Sequence, residues 1–206
     1  MKHNITTDWQ EHQKHERLFH PGPDTAYWYQ HILDSLPCWS VENKGDVLEI
    51  GAGEFGGFRS LVPCDSYAIV DPIWGDTDGP YGDLRIKAET LPMPDSTFDL
   101  VIISNAIDHC EQPGFVAREI TRVLASGGSV LCGHYLNQLP HPWSFESVDE
   151  MPELFPGLTV RHKSVLADRS RVALDYKLSN LGLPPELFGR DVPSECAFGL
   201  VWMDKL

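Results

Sequence analysis

A short apolar run that ends in closely spaced glycines is the feature that most constrains how this chain folds. Residues 47–50 read Val-Leu-Glu-Ile and lead directly into Gly51, Ala52 and Gly53, so that residues 51–56 fit the pattern GxGxxG. An apolar run bounded by glycines predicts a buried strand followed by a tight turn, because glycine readily adopts the positive φ angles that such turns need. The pattern therefore favours an α/β fold whose sheet includes this strand.

The rest of the chain alternates between strand and helix patterns. Residues 98–103 form the strongest strand pattern, and Pro113 stands where the first turn of a helix tolerates proline. The predicted helices cover residues 26–36, a short stretch that ends at Pro63, residues from Pro113 to the Gly127–Gly128 pair, and 144–154; the other predicted strands cover 67–71, 84–86, 130–132, 158–160 and 197–202. Such alternation predicts one domain with a mostly parallel sheet covered on both faces.

The charge balance of the chain argues against some classes of partner. Its 206 residues include 16 Lys and Arg against 30 Asp and Glu, which gives a formal net charge of −14. Proteins that bind nucleic acids or anionic membranes place clusters of Lys and Arg against phosphates. We therefore expect neither partner and favour a small-molecule substrate. A basic protein partner and both a monomer and a homodimer stay open.

Cysteine usage and hydropathy indicate a cytoplasmic protein. The five cysteines include no CxxC pair, and their odd number argues against a disulfide framework and for reduced thiols without a metal. The N-terminus lacks the apolar core of a signal peptide. No apolar run approaches the ~20 residues that span a bilayer.

The glycine turn fits a nucleoside-containing cofactor. Asp71 follows Gly51 by 20 residues and ends the second predicted strand, where a carboxylate accepts hydrogen bonds from a ribose diol. The pyrophosphate of a dinucleotide favours helix N–H groups and no nearby negative charge, whereas Glu49 and Glu54 flank this turn. The acidic surroundings favour a cationic nucleoside such as S-adenosylmethionine. A dinucleotide, or a turn without any ligand, remains the alternative.

Three stretches of the sequence resemble the class I S-adenosylmethionine-dependent methyltransferases. They read VLEIGAGEFG, AETLPMPDSTFDLVIISNAIDHCEQP and EITRVLASGGSVLCG, and the likeness extends over residues 46–152. It is strongest to the type 11 methyltransferase domain family. The resemblance implies a Rossmann-like three-layer sandwich, with a seven-stranded sheet in the order 3-2-1-4-5-7-6 and an antiparallel last strand.

The resemblance also implies which residues bind S-adenosylmethionine. In the family, motif positions contact the methionine part, the ribose and the adenine edge of the cofactor and lie beneath its sulfonium. Each of these positions has a counterpart in this chain. Those counterparts are Glu49, Gly51, Ala52, Gly53, Asp71, Pro72, Ala88, Glu89, Ser104 and Asn105.

The chain departs from the family pattern in three places. Phe55 stands where the family usually has glycine, and Lys87 stands where an acid usually meets the adenine amine, a contact that Glu89 could replace. Residues 72–82 are turn-like and too short for the usual crossover helix, which needs about a dozen residues. These departures put the adenine side of the site in question.

Candidate catalytic residues follow the fourth and fifth strands. His109 is the first candidate general base, with packing or capping of the next helix as its structural alternative. His134 and Tyr135 come after the fifth strand, at the edge where open α/β sheets bind ligands. They could line an acceptor pocket together with His141 and Trp143.

The predicted organisation is one methyltransferase domain over residues 1–206. Within it we expect an N-terminal helical lid at 1–40, a cofactor-binding core at 46–135 and an insertion-like segment at 164–195 before the last strand. Two other functions stay open. One is a non-catalytic scaffold that keeps the fold, and the other is an NAD-dependent oxidoreductase, which the GxGxxG match allows.

Overall fold

The computed structural model describes residues 2–3, 26–37, 39–40, 42–53, 57–73, 83–136, 143–166 and 197–206. Its helices are α1 (Ala26–Asp34) and α2 (Pro113–Val123), with 3₁₀ turns at Ile107–His109 and Met151–Leu154. Its strands are β1 (Lys2–His3), β2 (Asp46–Ile50), β3 (Ser66–Val70), β4 (Asp83–Leu84), β5 (Phe98–Ser104), β6 (Leu124–Tyr135), β7 (Trp143–Ser144), β8 (Thr159–Leu166) and β9 (Phe198–Asp204).

Seven strands form the main sheet in the order β4-β3-β2-β5-β6-β9-β8. β7 is not part of this sheet. When the seven strands of the sheet are numbered from β2 along the chain, their order is the predicted 3-2-1-4-5-7-6. The strands from β4 to β6 are parallel, and β9 runs antiparallel to β6 and to β8. The antiparallel last strand is therefore confirmed. The short strands β1 and β7 pair with each other as a separate antiparallel ribbon.

The register brings the carboxyl ends of the central strands to one edge of the sheet. Ile50 on β2 lies opposite Val70 on β3 and Ile103 on β5, and Ser104 on β5 lies opposite Gly133 on β6. Residues that follow these strands therefore converge although they are far apart in sequence. We call this the carboxyl edge.

Alternating side chains build a hydrophobic core on each face of the sheet. Leu48, Val101 and Ile103 point to the face covered by α2, which we call the α2 face. Val47 and Ile102 point to the opposite face, covered by α1, which we call the α1 face. Complete burial of such a side chain contributes about 1.5–3 kcal/mol. The result is the predicted three-layer sandwich.

Helix α1 packs its aromatic residues onto the sheet. The Trp28 indole is almost fully buried, and it stacks with the Tyr135 ring at 6.4 Å between centroids and meets the Phe198 ring edge-on at 5.2 Å. The Tyr29 ring lies 4.7 Å from that of Phe58. Trp28 and Tyr29, which lie within the predicted N-terminal lid, therefore pack onto other residues of the α1 face.

The prediction that Gly127 and Gly128 close the second helix is wrong. Helix α2 begins at Pro113 as predicted, but it ends at Val123, and Leu124 is already extended and paired with Phe98 of β5. Gly127 has φ of +80° within β6. A Cβ on Gly128 would lie 3.0 Å from the Asp99 carbonyl oxygen. The glycines thus allow a close strand contact rather than a helix cap.

The helix predicted at residues 144–154 is also wrong. Ser144 lies in β7, and only the 3₁₀ turn Met151–Leu154 is helical. The Ser147 hydroxyl accepts a hydrogen bond from the Asp149 backbone N–H, a local turn that competes with a helix. Phe145 and Met151 are each fully buried, so separate anchoring contacts shape this segment.

Four smaller differences concern the bounds or the type of an element. The first helix ends at Asp34 rather than at residue 36, and β4 covers only Asp83–Leu84. Strand β8 runs to Leu166, so the first residues of the predicted insertion-like segment 164–195 are part of a strand. Residues 57–62 form turns rather than a regular helix.

Some predicted features lie outside the described residues. They are the greater part of the N-terminal segment, Glu54, Phe55, most of the turn-like stretch 72–82, His141 and residues 167–196. Among the described residues, each helix is too short or too polar to cross a bilayer. The described cysteines Cys64, Cys110 and Cys132 are not paired with each other.

Candidate functional site

Glu49 is a buried carboxylate at the centre of the carboxyl edge. It lies near the end of β2, on the α1 face, and is only 2% exposed. The Tyr67 hydroxyl donates a hydrogen bond to its Oε2 at 2.6 Å, and the Phe58 backbone N–H donates to both carboxylate oxygens at 3.2 Å. These donors tie the glycine turn to β3 through one acidic side chain.

The surroundings of Glu49 favour its protonated form. Burial raises the pKa of this carboxyl from 4.5 to about 7, against the lowering effect of the hydrogen bonds from Tyr67 and Phe58. The nearby negative charge of Asp71 adds a smaller increase. Burial also holds the pKa of the Tyr67 hydroxyl well above its usual range. A cation brought close to Glu49 would stabilise its charged form.

Gly57 is a residue of this site that sequence reasoning missed. A Cβ on Gly57 would lie 1.8 Å from the Oε1 atom of Glu49, and the residue has φ of +38°. Only glycine lets the backbone pass so close to the carboxylate. The double glycine at residues 56–57 is the sequence signal that could have indicated this position.

Asp71 directly follows β3 and connects this strand to the glycine turn. Its Oδ2 accepts a hydrogen bond from the Gly53 N–H at 3.0 Å, and its Oδ1 accepts one from the Ile73 N–H at 2.8 Å. Asp71 is 5% exposed. Asp71, with Pro72 directly after it, therefore lies beside the turn that the sequence predicts as its partner.

The glycine turn itself contacts the segment after β5. Gly51 and Gly53 have φ of +73° and +67°. A Cβ on Gly51 would lie 2.3 Å from the Cβ of Ala106. The turn around Ala52 thus packs directly against the chain that leads to His109.

Ser104 and Asn105 end β5 at this same edge. Asn105 has φ of +52°, a conformation that Asn tolerates better than most residues. Its backbone N–H donates to the Gly133 carbonyl at 2.7 Å. The buried side-chain Oδ1 of Asn105 has no hydrogen-bond partner among the described residues. A ligand donor at the carboxyl edge would satisfy it.

The segment that contains Ala88 and Glu89 borders the site on the α2 face. Ala88 is buried. The Glu89 Oε1 accepts hydrogen bonds from the backbone N–H groups of Glu111 and Gln112 at 2.8 and 3.1 Å, the two residues that precede α2. Lys87 forms a 2.8 Å ion pair with Glu111. Lys87 and Glu89 at the predicted adenine side therefore both have partners within the protein.

Asp108 is the second residue that sequence reasoning missed. It lies in the 3₁₀ turn Ile107–His109 and is fully buried. Its Oδ2 lies 3.3 Å from the Nε2 of His109, and its Oδ1 lies 3.4 Å from the Nδ1 of His134. One carboxylate thus lies between both histidines that the sequence singles out, and neither contact has the geometry of a hydrogen bond. An acid directly before His109 was the available signal.

His134 and Tyr135 do not share a pocket, in contrast to the prediction that both line one. His134 is fully buried beside Phe145 on the α2 face, at 5.1 Å between ring centroids. Tyr135 points to the α1 face, between Trp28 and Phe198. Successive residues of a strand face opposite sides. Only His134 therefore lies with His109 and Asp108.

Strand β7 forms a wall next to the histidines. It packs against the 3₁₀ turn Ile107–His109 and places the half-buried Trp143 there. Strand β1 pairs with β7 on its other side. Trp143 thus belongs to a strand that packs against the turn containing His109. In the part of the chain that the structure describes, no three His, Cys, Asp or Glu side chains are arranged to bind a metal ion.

Part of the sequence matches a known family. Residues 78–132 match the family model described as a methyltransferase domain. No curated protein matches the chain significantly.

Several solved structures share the fold at low sequence identity. The methyltransferase in the complex with the Trm112 methyltransferase activator of Haloferax volcanii is 19% identical, over 95% of this chain and 94% of that chain, with a TM-score of 0.61. A SAM-dependent methyltransferase from Aquifex aeolicus is 14% identical, over 96% and 99% of the two chains, with a TM-score of 0.58. Phosphoethanolamine N-methyltransferase 2 from Haemonchus contortus, in complex with phosphomonomethylethanolamine and S-adenosylhomocysteine, is 15% identical, over 87% of this chain and 52% of that chain, with a TM-score of 0.58.

Proposed function

We propose that this chain, which has the class I methyltransferase fold and matches the methyltransferase domain family over residues 78–132, transfers a methyl group from S-adenosylmethionine to a small-molecule acceptor. The observation that carries the proposal is the pair of buried carboxylates, Glu49 and Asp71, joined by the glycine turn between them. Bound S-adenosylmethionine supplies an electrophilic methyl group on a sulfonium.

The residues at the turn fit the parts of this cofactor. The Glu49 carboxylate favours a cationic group, because such a group offsets the cost of charging a buried acid. Asp71 is held by the Gly53 and Ile73 N–H groups in a position to accept ribose hydroxyl hydrogen bonds. Gly51 keeps the backbone free of a side chain where a ligand approaches. Ser104 and Asn105 would lie beneath the reacting methyl group.

The acceptor that we propose is small. The net charge of −14 disfavours a nucleic acid, and one structural relative holds phosphomonomethylethanolamine, a small molecule. We expect Trp143 and His109 to contact the acceptor, because β7 packs against the 3₁₀ turn that contains His109. A screen of metabolite extracts with an isotopically labelled methyl donor would identify it.

Calorimetry with S-adenosylhomocysteine tests the donor site. We expect binding by the wild type, and a loss of about 1–3 kcal/mol in Asp71→Ala from one or two missing hydrogen bonds. Asp149→Ala is the matched control, because this acid is remote from the site and its side chain is 71% exposed. Absence of binding at millimolar ligand would reject the proposal, and an unchanged affinity of Asp71→Ala would remove this residue from the site.

Two other functions make different predictions in the same assay. A non-catalytic scaffold is favoured by the internal partners of Lys87 and Glu89, which occupy the adenine side. It predicts no binding of the donor or its product. An NAD-dependent oxidoreductase predicts protection from thermal unfolding by NAD and none by S-adenosylhomocysteine. The buried acid Glu49 beside the turn argues against a pyrophosphate there.

A further inference from the structure

We propose that Arg59 is a positioning residue of the donor site, which acts through the ring of Tyr67 to hold the carboxylate of Glu49 ready for a cationic ligand. This inference rests on the proposed binding of S-adenosylmethionine. It extends the donor site to a charged side chain at the surface of the protein, which regulates the buried acid.

A chain of contacts leads from Glu49 to the surface. The Tyr67 hydroxyl donates a hydrogen bond to the Oε2 of Glu49 at 2.6 Å. The guanidinium carbon of Arg59 lies 5.8 Å from the centre of the Tyr67 ring, which is within the range of a cation–π interaction. The Nη1 of Arg59 donates in turn to the Oδ2 of Asp83 at 2.7 Å. These consecutive contacts connect the buried carboxylate to an exposed ion pair.

Asp83 orients Arg59 over the ring. In the sheet Asp83 of β4 lies opposite Ile69 of β3, and the side chain of Ile69 shares the face of Tyr67 because directions alternate along a strand. The side chains of Arg59 and Asp83 are 44% and 23% exposed, and an exposed ion pair contributes little to stability. The pair therefore fixes the position of the guanidinium group, and a substitution of Arg59 should leave the fold intact.

The guanidinium charge strengthens the hydrogen bond that Glu49 receives. Burial and the charge of Glu49 hold the pKa of the Tyr67 hydroxyl well above its usual range, and the positive charge of Arg59 opposes this effect. A positive charge beside a phenol draws electrons from the O–H group and makes it a stronger donor, as linked hydrogen-bonding groups polarise one another. Arg59 thus acts on Glu49 through the hydroxyl of Tyr67.

Arg59 is the cation in a balance of groups around Glu49. Burial raises the pKa of this carboxyl to about 7, and the hydrogen bonds from Tyr67 and Phe58 lower it. The charge of Arg59 lowers this pKa too, whereas the charge of Asp71 raises it. Near neutral pH the carboxyl is therefore close to its midpoint, where a small change in pKa changes the charged fraction most. Since a cationic ligand favours the charged form, removal of Arg59 should leave fewer sites ready for the donor.

The first test is a titration of the Glu49 carboxyl carbon by ¹³C NMR of the labelled full chain without ligand, with the signal assigned through Glu49→Gln. We expect a midpoint near pH 7 in the wild type, a higher midpoint in Arg59→Gln, and one close to the wild type in Arg59→Lys, which keeps the charge. Arg118→Gln is the matched control and should leave the midpoint unchanged, because this guanidinium lies 4.1 Å from the ring of Phe115 on α2, which covers the other face of the sheet. An unchanged midpoint in Arg59→Gln, or equal midpoints in Arg59→Gln and Arg59→Lys, would overturn the inference.

The part played by the ring is tested in Tyr67→Phe. This substitution keeps the ring beside Arg59 and removes only the hydroxyl that donates to Glu49. We expect Arg59→Gln to move the midpoint of Glu49 less in this background than in the wild type, because the two groups act in sequence. An equal movement in both backgrounds would mean that Arg59 acts on the carboxylate directly, which contradicts the role assigned to Tyr67.

Calorimetry with S-adenosylhomocysteine tests the consequence for the site. We expect Arg59→Gln to weaken binding about two- to fivefold at pH 6, the size of a cation–π contact at an exposed position. At pH 8.5 we expect no weakening, since Glu49 is then charged in both proteins. Equal weakening at both pH values would indicate a merely structural role and would refute the inference, as would unchanged binding at pH 6. Absence of binding by the wild type would instead reject the proposed function, and the titration of Glu49 would still report on Arg59.

Discussion

The buried carboxyl of Glu49 makes the stability of this protein depend on pH in a defined direction. The folded state raises the pKa of Glu49 from 4.5 to about 7, chiefly through burial. Between these two values the folded chain keeps a proton that the unfolded chain has lost. The folded state therefore binds more protons, and the free energy of unfolding falls as the pH rises through this window.

The magnitude follows from the two pKa values. Each pKa unit corresponds to about 1.4 kcal/mol, so the change from 4.5 to about 7 corresponds to about 3 kcal/mol. The Glu49→Gln variant removes this contribution because an amide stays neutral. Its carbonyl can still accept the hydrogen bond from Phe58. We expect Glu49→Gln to gain about 3 kcal/mol relative to the wild type between pH 4.5 and pH 8.

Urea unfolding of both proteins across this pH range measures the difference. The contributions of all other titrating groups cancel when the two curves are subtracted. Glu153→Gln, at an exposed position, is the control and should follow the wild type. A difference between Glu49→Gln and the wild type that stays constant within about 1 kcal/mol would refute the reasoning, because it would mean that Glu49 is not desolvated.

The same carboxyl links donor binding to proton release. If the ammonium group of S-adenosylhomocysteine lies near Glu49, binding favours the charged carboxylate and lowers its pKa. We expect the wild type to release up to one proton on binding at pH 6.5. Calorimetry in two buffers with different ionisation enthalpies counts these protons. Glu49→Gln should release none, and equal release by both proteins would contradict this placement of the ligand.

Two further substitutions test the turn and its acid. Gly51→Ala should destabilise the fold by about 1–3 kcal/mol and weaken S-adenosylhomocysteine binding, because φ is +73° and the new Cβ would lie 2.3 Å from that of Ala106. Urea unfolding measures the loss, with Gly114→Ala as the control because its new Cβ would meet nothing within 4 Å. Equal effects of the two substitutions would contradict the close packing of Gly51 against Ala106. Tyr67→Phe removes a hydrogen bond that lowers the pKa of Glu49, so the pKa of Glu49 should rise further. Proton release on binding of S-adenosylhomocysteine should therefore move to higher pH. Release at an unchanged pH would show that the Tyr67 hydroxyl does not stabilise the carboxylate.

The errors in the predicted elements have local physical causes. Gly127 and Gly128 resemble a helix end, yet pairing between Leu124 and Phe98 starts the strand earlier. Residues 144–154 were predicted as a helix, yet Phe145 and Met151 are each fully buried in the core and the segment between them forms turns. In both cases contacts distant in sequence outweighed local preference.

The sequence alone determined the order of the elements and the edge at which the site lies. The run before Gly51, the acid at Asp71 and the strand at 98–103 specify parallel strands, and parallel strands joined by crossovers end at one edge. Glu49, Asp71 and His109 were therefore predicted at this edge from their places within or after these strands, and the resemblance to the methyltransferases supplied their proposed roles.

Only the tertiary structure decided which side chains meet at that edge. The register that sets Ser104 opposite Gly133 brings Asp108 next to His134 and turns Tyr135 to the other face. The close approach of Gly57 to the carboxylate of Glu49 depends in the same way on how the turn folds back. A shift of one residue along a strand reverses the direction of every side chain. Such contacts between distant residues depend on register and packing, which local sequence patterns do not encode.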